Sequence, residues 1–337
     1  MDIVDIIFQA LTVAVGVNGV VFALAGVGLN LQFGYTGLLN FGHVAFMMLG
    51  AYGLAITVDR GGPFWLGILV GIVAAALLGL LLGLPTLRLR TDYLAIVTIA
   101  AGEILRLVFR SGFAEPLTQG VFGIQRFGDA FYRLNPLPNR TFRLGFNGDD
   151  GFVGLIFRQR TLWVVIVGWT LVLLTTGLIL LLVRSPYGRV LRSIREDEDA
   201  ARSLGKHVFA YKLQTLMVGG MIGGLGGMLR AIDQQSVNPD SFLPTLTFFV
   251  YVVVIFGGPG SVLGPIVGSI IFWFVIDITS GIMSELAATS DFWGDLLTSN
   301  RIALMRFVLV GLGLALLMVF RPQGLFGSRE EMLLDAR

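Results

Sequence analysis

The chain has 337 residues, 55% hydrophobic and only 14% charged, with a mean hydropathy of +0.81. Soluble domains carry roughly 25% charged residues, so this composition is built for a lipid bilayer. With 24 basic and 22 acidic residues the net charge is +2, too balanced for a nucleic-acid partner. Cysteine is absent, which excludes disulfides, thiolate metal sites and cysteine nucleophiles. The histidines are His43 and His207, too distant in sequence for a His-based metal site, and no cofactor is expected.

The first thirty positions, MDIVDIIFQALTVAVGVNGVVFALAGVGLN, hold two Asp and no Lys or Arg ahead of a long apolar run. A cleaved leader needs a positive start and a shorter apolar core, so this segment reads as a retained span. A helix crosses the hydrocarbon core with about 20 apolar residues. Such segments fall at 6–31, 40–58, 64–84, 93–110, 162–183, 211–232, 241–257, 264–284 and 301–320. Backbone groups in lipid must be satisfied within their own segment, so the expectation is an all-α polytopic membrane protein of about nine helices. The segment 241–257 is short enough to be re-entrant.

Lys and Arg in short flanking segments mark the cytoplasmic side. Arg88, Arg90, the stretch 184–212 and the tail from Arg321 all fall on that side if there are nine spans, which leaves the N-terminus outside and the C-terminus cytoplasmic. Segment 111–160 then lies outside as an extracytoplasmic loop of a single membrane domain. It nevertheless carries Arg126, Arg133, Arg140, Arg143, Arg158 and Arg160; long loops obey the charge rule weakly. Spans 1–4 and 6–9, joined by span 5, start on opposite sides, as inverted repeats do in many transporters.

Glycines 219, 220, 223, 224, 226 and 227 cluster in the sixth span, at spacings that let helix backbones approach closely in lipid. Two Gly-rich stretches sit at span ends, GYTGLLNFGH (34–43) and GGPGSVLGP (257–265). Neither is a phosphate-binding loop, since no Lys follows the glycines. Each reads as a tight turn or as unwound backbone beside a polar pathway, which the membrane tolerates only against protein or water.

Asn30, Gln32, Asn40 and His43 flank the first stretch. Amides beside irregular backbone suit a hydrated path for a zwitterion and equally suit capping of helix ends. Glu103 lies inside the fourth span, three residues before Arg106 on the same helical face, where an internal ion pair competes with a pathway role. Asp277 lies inside the eighth span and is too short to snorkel. No catalytic constellation emerges, so a membrane enzyme has little support.

The stretch 184–212, RSPYGRVLRSIREDEDAARSLGKHVFAYK, holds seven basic and four acidic residues between two spans. Asp197 to Leu204 is expected to form a short helix ending at Gly205. Glu198-Asp199-Ala200-Ala201-Arg202-Ser203-Leu204-Gly205 reads E-x-A-A-x-x-x-G. Its alanines make a low-profile surface, while Arg195 and Glu198 would fix orientation by charge. The pattern resembles the coupling loop of ABC importer permeases, although the I-x-L-P that usually follows is absent. GLNLQFGYTGLLNFGHVAFMMLGAY (28–52), LRLRTDYLAIVTIAAGEILRLV (87–108), VNPDSF (237–242), VVVIFGGPGSVLGPIVGS (252–269) and FRPQGLFG (320–327) complete the resemblance in order. Together they are similar to permeases of branched-chain amino acid ABC importers, the LivM type above all; GYTGLLNFGH is also similar to the sister LivH type.

The resemblance implies a multi-pass subunit of the prokaryotic plasma (inner) membrane that moves branched-chain amino acids inward. It implies as partners a second, LivH-type permease, two cytoplasmic ATP-binding subunits and an extracytoplasmic substrate-binding protein. Glu198, Ala200, Ala201 and Gly205 carry over from the motif, with ATP hydrolysed on the partners. A urea or short-chain amide permease of the same family and an autonomous secondary transporter are the competing readings. Scarce intramembrane carboxylates weigh against the latter.

Overall fold

The computed structural model describes residues 3–87, 91–148, 151–289, 298–321 and 323–327. Arg88, Arg90 and the end of the tail lie outside the described residues. Helices dominate, in the order α1 Ile3–Val15, α2 Val17–Thr36, α3 His43–Asp59, α4 Phe64–Thr86 and α5 Thr91–Arg110. Short helices α6 Glu115–Thr118 and α7 Asp129–Arg133 precede α8 Gln159–Arg184, α9 Pro186–Glu196 and α10 Glu198–Ser203. The second half holds α11 Val208–Gln234, α12 Pro244–Gly257, α13 Gly264–Thr289 and α14 Ser299–Phe320. Strand pairing is confined to two small antiparallel units. One joins β1 Ile124–Gln125 to β4 Ser236–Val237, and the other is a hairpin of β2 Thr141–Gly148 and β3 Gly151–Arg158, with Thr141 opposite Arg158.

Seven helical segments among the described residues are long and apolar enough to cross a bilayer. α3, with 17 residues, and α5, which carries Glu103, Arg106 and Arg110, occupy the other two expected spans. The first expected span, 6–31, is not one helix. The chain bends at Gly16, whose extended backbone (φ −75°, ψ −161°) separates α1 from α2. α1 packs on α13 and β3, with Ile6 against Gly281. Its 13 residues rise only about 20 Å, less than the roughly 30 Å hydrocarbon core. The spanning helix is α2, shifted towards the C-terminus of the expected segment.

α2 and α11 form the central antiparallel pair, and glycine is what lets them meet. Gly28 faces Gly219 and Gly223, while Gly226 faces Val21 and Ala25. α3 seats on the next face of α11, where a Cβ at Gly227 would lie 1.9 Å from the Met47 carbonyl oxygen. Around this pair the neighbours repeat. α4 packs on α3 and α11, and α13 packs on α12 and α2. In both halves a long central helix leads through non-helical backbone into a short helix, α3 or α12, with the two halves running in opposite directions. That is the inverted-repeat arrangement. Most apolar side chains on α14 and one face of α4 are exposed, among them Phe307, Val308, Leu316, Val319, Leu77 and Leu81, as suits lipid or a neighbouring membrane subunit.

Because overpacking a close-packed interior costs about 1–3 kcal/mol, Gly227→Val should lower the melting temperature of the purified protein in detergent. Gly177→Ala, within α8 and with no atom within 4 Å of an added Cβ, should hold or slightly raise it, since Ala favours a helix interior over Gly. Equal tolerance at both positions would show that α3 and α11 are not in close contact.

Candidate functional site

The charged stretch folds as two short helices set at an angle by one residue. Ser185 caps α9, its Oγ accepting from the Tyr187 N–H at 3.2 Å, with Pro186 in the first turn. α9 turns Gly188, Leu191 and Ile194 inward. Asp197 then interrupts the helix in extended conformation and caps α10, Oδ1 accepting from the N–H groups of Asp199 and Ala200, both at 2.9 Å. Two donors satisfied by one carboxylate make this a strong helix start. Gly205 follows with φ +75°, the left-handed geometry glycine adopts without penalty.

The expected loop residues divide by direction. Ala200 is exposed, whereas Ala201 is buried against Ile194 and Val208 and anchors α10 to the helices beside it. Glu198 bonds Arg202 at 3.0 Å and also Lys212 at the start of α11, tying α10 to that spanning helix. Leu204, next to Gly205, is 78% exposed. The sequence does not single it out, because Val190, Leu191, Ile194, Val208 and Phe209 share the stretch and only the fold shows which apolar side chain is left bare. Arg195 points the other way: its guanidinium donates to the Gly34 carbonyl at 2.5 Å. Its aliphatic stem lies beside Gly37, where an added Cβ would be 3.6 Å from Arg195 Cγ.

Gly34 and Gly37 mark the end of α2. Gly37 is left-handed (φ +71°), its N–H donating to Phe33 O at 3.1 Å, and Leu38 N–H donates to Gln32 O at 2.9 Å. Residues 37–42 then climb back without helix to His43, which is buried against Gly223 near the middle of α11. Side chains satisfy the backbone of this break. Phe41 N–H donates to Thr98 Oγ1 (3.1 Å), Gly42 N–H to Asn40 Oδ1 (3.1 Å) and Val44 N–H to Thr247 Oγ1 (3.0 Å). Asn40 Nδ2 donates to Gln32 Oε1 at 2.9 Å, and Gln32 Nε2 to the Leu216 carbonyl of α11 at 3.1 Å.

Asn30 serves the second Gly-rich stretch. Its Nδ2 donates to Ser261 O at 2.8 Å and its Oδ1 accepts from Gly260 N–H at 2.9 Å. Gly258 (φ +104°) and Gly260 (φ +78°) make that turn, and the Leu325 and Phe326 N–H groups donate to Phe256 O and Gly257 O from the tail. One helix, α2, therefore holds both breaks, through side chains two residues apart on opposite faces. Asn30, Gln32, Asn40 and His43 are all buried, but they do not form one cluster: Gln32 and Asn40 are bonded to each other, His43 packs on Gly223, and Asn30 serves the other break. Thr98 and Thr247, whose hydroxyls complete the first break, carried no signal in the sequence.

Glu103 and Asp277 lie elsewhere. Glu103 grips Arg106 with both oxygens (2.9 and 2.5 Å), and Arg106 also reaches Asp240 at 2.6 Å, with Arg110 3.3 Å from the same carboxylate. The expected internal ion pair is thus one arm of a network that staples α5 to the turn before α12. Asp277 opens on a cleft of about 320 Å³ shared with Gln9, Ser280, Ser284, Glu285 and Arg306, between α1, α13 and α14.

Residues 11–317 match the family described as branched-chain amino acid transport system / permease component. The chain is 33% identical over 332 residues to the high-affinity branched-chain amino acid transport system permease protein LivM of Escherichia coli, covering 96% of this chain and 71% of that one. It is 24% identical over 280 residues to LivH of the same organism (79% and 84% covered). It is also 26% identical over 249 residues to the nucleoside ABC transporter permease protein NupC of Lactococcus lactis (70% and 71% covered). Spanning helices, two stapled helix breaks and a folded charged loop accompany a family match along nearly the whole sequence, and the chain belongs to the branched-chain amino acid transport permeases, in their LivM-type branch.

Proposed function

We propose that this membrane transport subunit is one half of an ATP-driven importer for branched-chain amino acids, paired with a LivH-type permease. E. coli carries family members of both types, which supports a heterodimer. One of two ATP-binding subunits grips the α9–α10 loop from the cytoplasm, and an extracytoplasmic binding protein delivers cargo to the opposite side. The N-terminus then lies outside and the C-terminal tail inside.

The observation that carries this reading is the bond from Arg195 to Gly34. A soluble motor acts on a membrane path only through a rigid connection, and coupling travels through contiguous contacts. Here Ala200, Leu204 and Gly205 offer the outward face, Ala201 and Glu198 brace α10, and Arg195 hands displacement to the end of α2. The Gln32 and Asn30 side chains lie two and four residues back along the same helix. A shift of α2 along its axis strains the bonds that hold residues 37–42 and 258–263, and exchanging those bonds opens and closes the path. Asn30, Gln32, Asn40 and His43 are the moving parts of that gate. Asp277 lies in a polar cleft at the edge of the bundle, suited to a second entry for water or to the contact with the partner permease.

Three outcomes test this scheme in vesicles containing the whole transporter. Ala200→Glu should abolish cargo-stimulated ATP hydrolysis and uptake while the subunit still folds; normal uptake would remove the loop from the ATPase contact. Arg195→Gln should leave ATPase subunits bound yet reduce uptake per ATP hydrolysed by roughly threefold to thirtyfold, and an unchanged ratio would break the proposed link. Glu103→Gln should lower the melting temperature with uptake per folded transporter retained. Lost uptake at an unchanged melting temperature would instead place Glu103 on the path.

A further inference from the structure

The arginines of segment 111–160 have no part in the scheme above, and the structure gathers three of them. On the side of the bundle opposite α9–α10, a cavity of about 620 Å³ is lined by Arg140, Arg158 and Arg160, together with Tyr132, Asp233 and Gln235. Its three guanidiniums face one carboxylate, and among the described residues none of the three makes a salt bridge. Arg140 lies over the Phe142 ring (5.1 Å to the centroid) and Arg160 over Tyr132 (5.4 Å), contacts that hold the side chains while leaving N–H groups to donate. The floor is fixed. Tyr132 donates to the Ile232 carbonyl at 3.1 Å, Gln235 closes α11 in left-handed conformation (φ 53°), and Trp163 Nε1 donates to Phe131 O at 3.3 Å beneath.

We propose that this cavity is a docking socket for paired carboxylates on the surface of the extracytoplasmic binding protein. The inference rests on the reading that this side faces outward and that such a protein delivers the cargo. Charge selects the class of occupant: a guanidinium fork matches a carboxylate in two-bond geometry, and an excess of two positive charges calls for more than one acidic group. A branched-chain amino acid fits poorly, because it is neutral overall and the lining offers no aliphatic wall for its side chain. A lipid headgroup is also disfavoured. The floor is the end of α11, the helix at the centre of the bundle and not on its lipid-facing rim. Clustered charge of one sign steers an oppositely charged partner and raises its rate of association. That gives a reason for arginines on the side the charge rule would leave poor in them.

The test uses the whole transporter in nanodiscs of zwitterionic lipid and its own binding protein loaded with leucine. Association is followed at low and high salt. Arg140→Gln, Arg158→Gln and Arg160→Gln combined should slow association by about tenfold and flatten its salt dependence, with basal ATP hydrolysis unchanged. The triple Lys variant should restore most of the rate, which a merely structural role would not predict. Association as fast and as salt-sensitive in the Gln variant as in the wild type overturns the socket. So does saturable leucine binding to the transporter alone that the Gln variant loses, which assigns the cavity to cargo. Association that depends on added anionic lipid assigns it to headgroups and equally overturns the socket. Wild-type transporter that binds no such protein at any salt refutes the parent reading itself, a result distinct from the other three.

Discussion

A backbone N–H or carbonyl without a partner in the bilayer costs several kcal/mol, yet this chain leaves helix geometry at residues 37–42 and again at 258–263. Each departure is tolerated because side chains stand in for the missing helical bonds. Thr98, Asn40 and Thr247 take the N–H groups of the first break, and Asn30 clamps both a donor and an acceptor of the second. The surrounding architecture follows from that need. α2 has to sit between the two breaks, and α11 has to come close enough for Gln32 to reach the Leu216 carbonyl. The glycines of α11 make such an approach possible.

A break held by a few side-chain bonds is also a place where structure can change at small cost. A continuous helix resists bending along its length, whereas swapping an amide from one carbonyl to another exchanges bonds of similar strength. The bond between Arg195 and Gly34 ties α9 to the end of α2, where the regular helix stops. Elsewhere the fold opposes movement: the Glu103–Arg106–Asp240 network pins α5 to the turn ahead of α12 on the far side, and Glu198 with Lys212 locks α10 to α11. The Glu103–Arg106–Asp240 network is a brace between elements in which one buried guanidinium is held by two partly exposed carboxylates.

Family membership and site chemistry answer different questions. Relatives named for branched-chain amino acids and for nucleosides both align with this chain, although those cargoes share little chemistry. The buried amides at the breaks are directed at backbone, and a backbone has the same chemistry whatever passes it. Bonds of this kind place no demand on the side chain of a cargo.

From residues alone, the membrane class, the location of nearly every spanning helix, the charged loop and its helix boundary were all legible. These depend on local composition: twenty apolar residues span lipid wherever they fall, and Asp197, Pro186 and Gly205 act on their own neighbours. The bend at Gly16 was hidden because a glycine within an apolar run signals nothing until α13 and β3 give α1 a surface to lie on. The directions of Arg195 and Ala201 were hidden as well. A guanidinium on a charged loop looks solvated until a carbonyl 161 residues away is placed beside it, and paired alanines look equivalent until helix rotation buries one of them. Local sequence decided which segments would be helices; the meeting of α2 with α11, α9 and the two breaks decided what their polar side chains do, because those bonds join groups that only the packed bundle brings within reach.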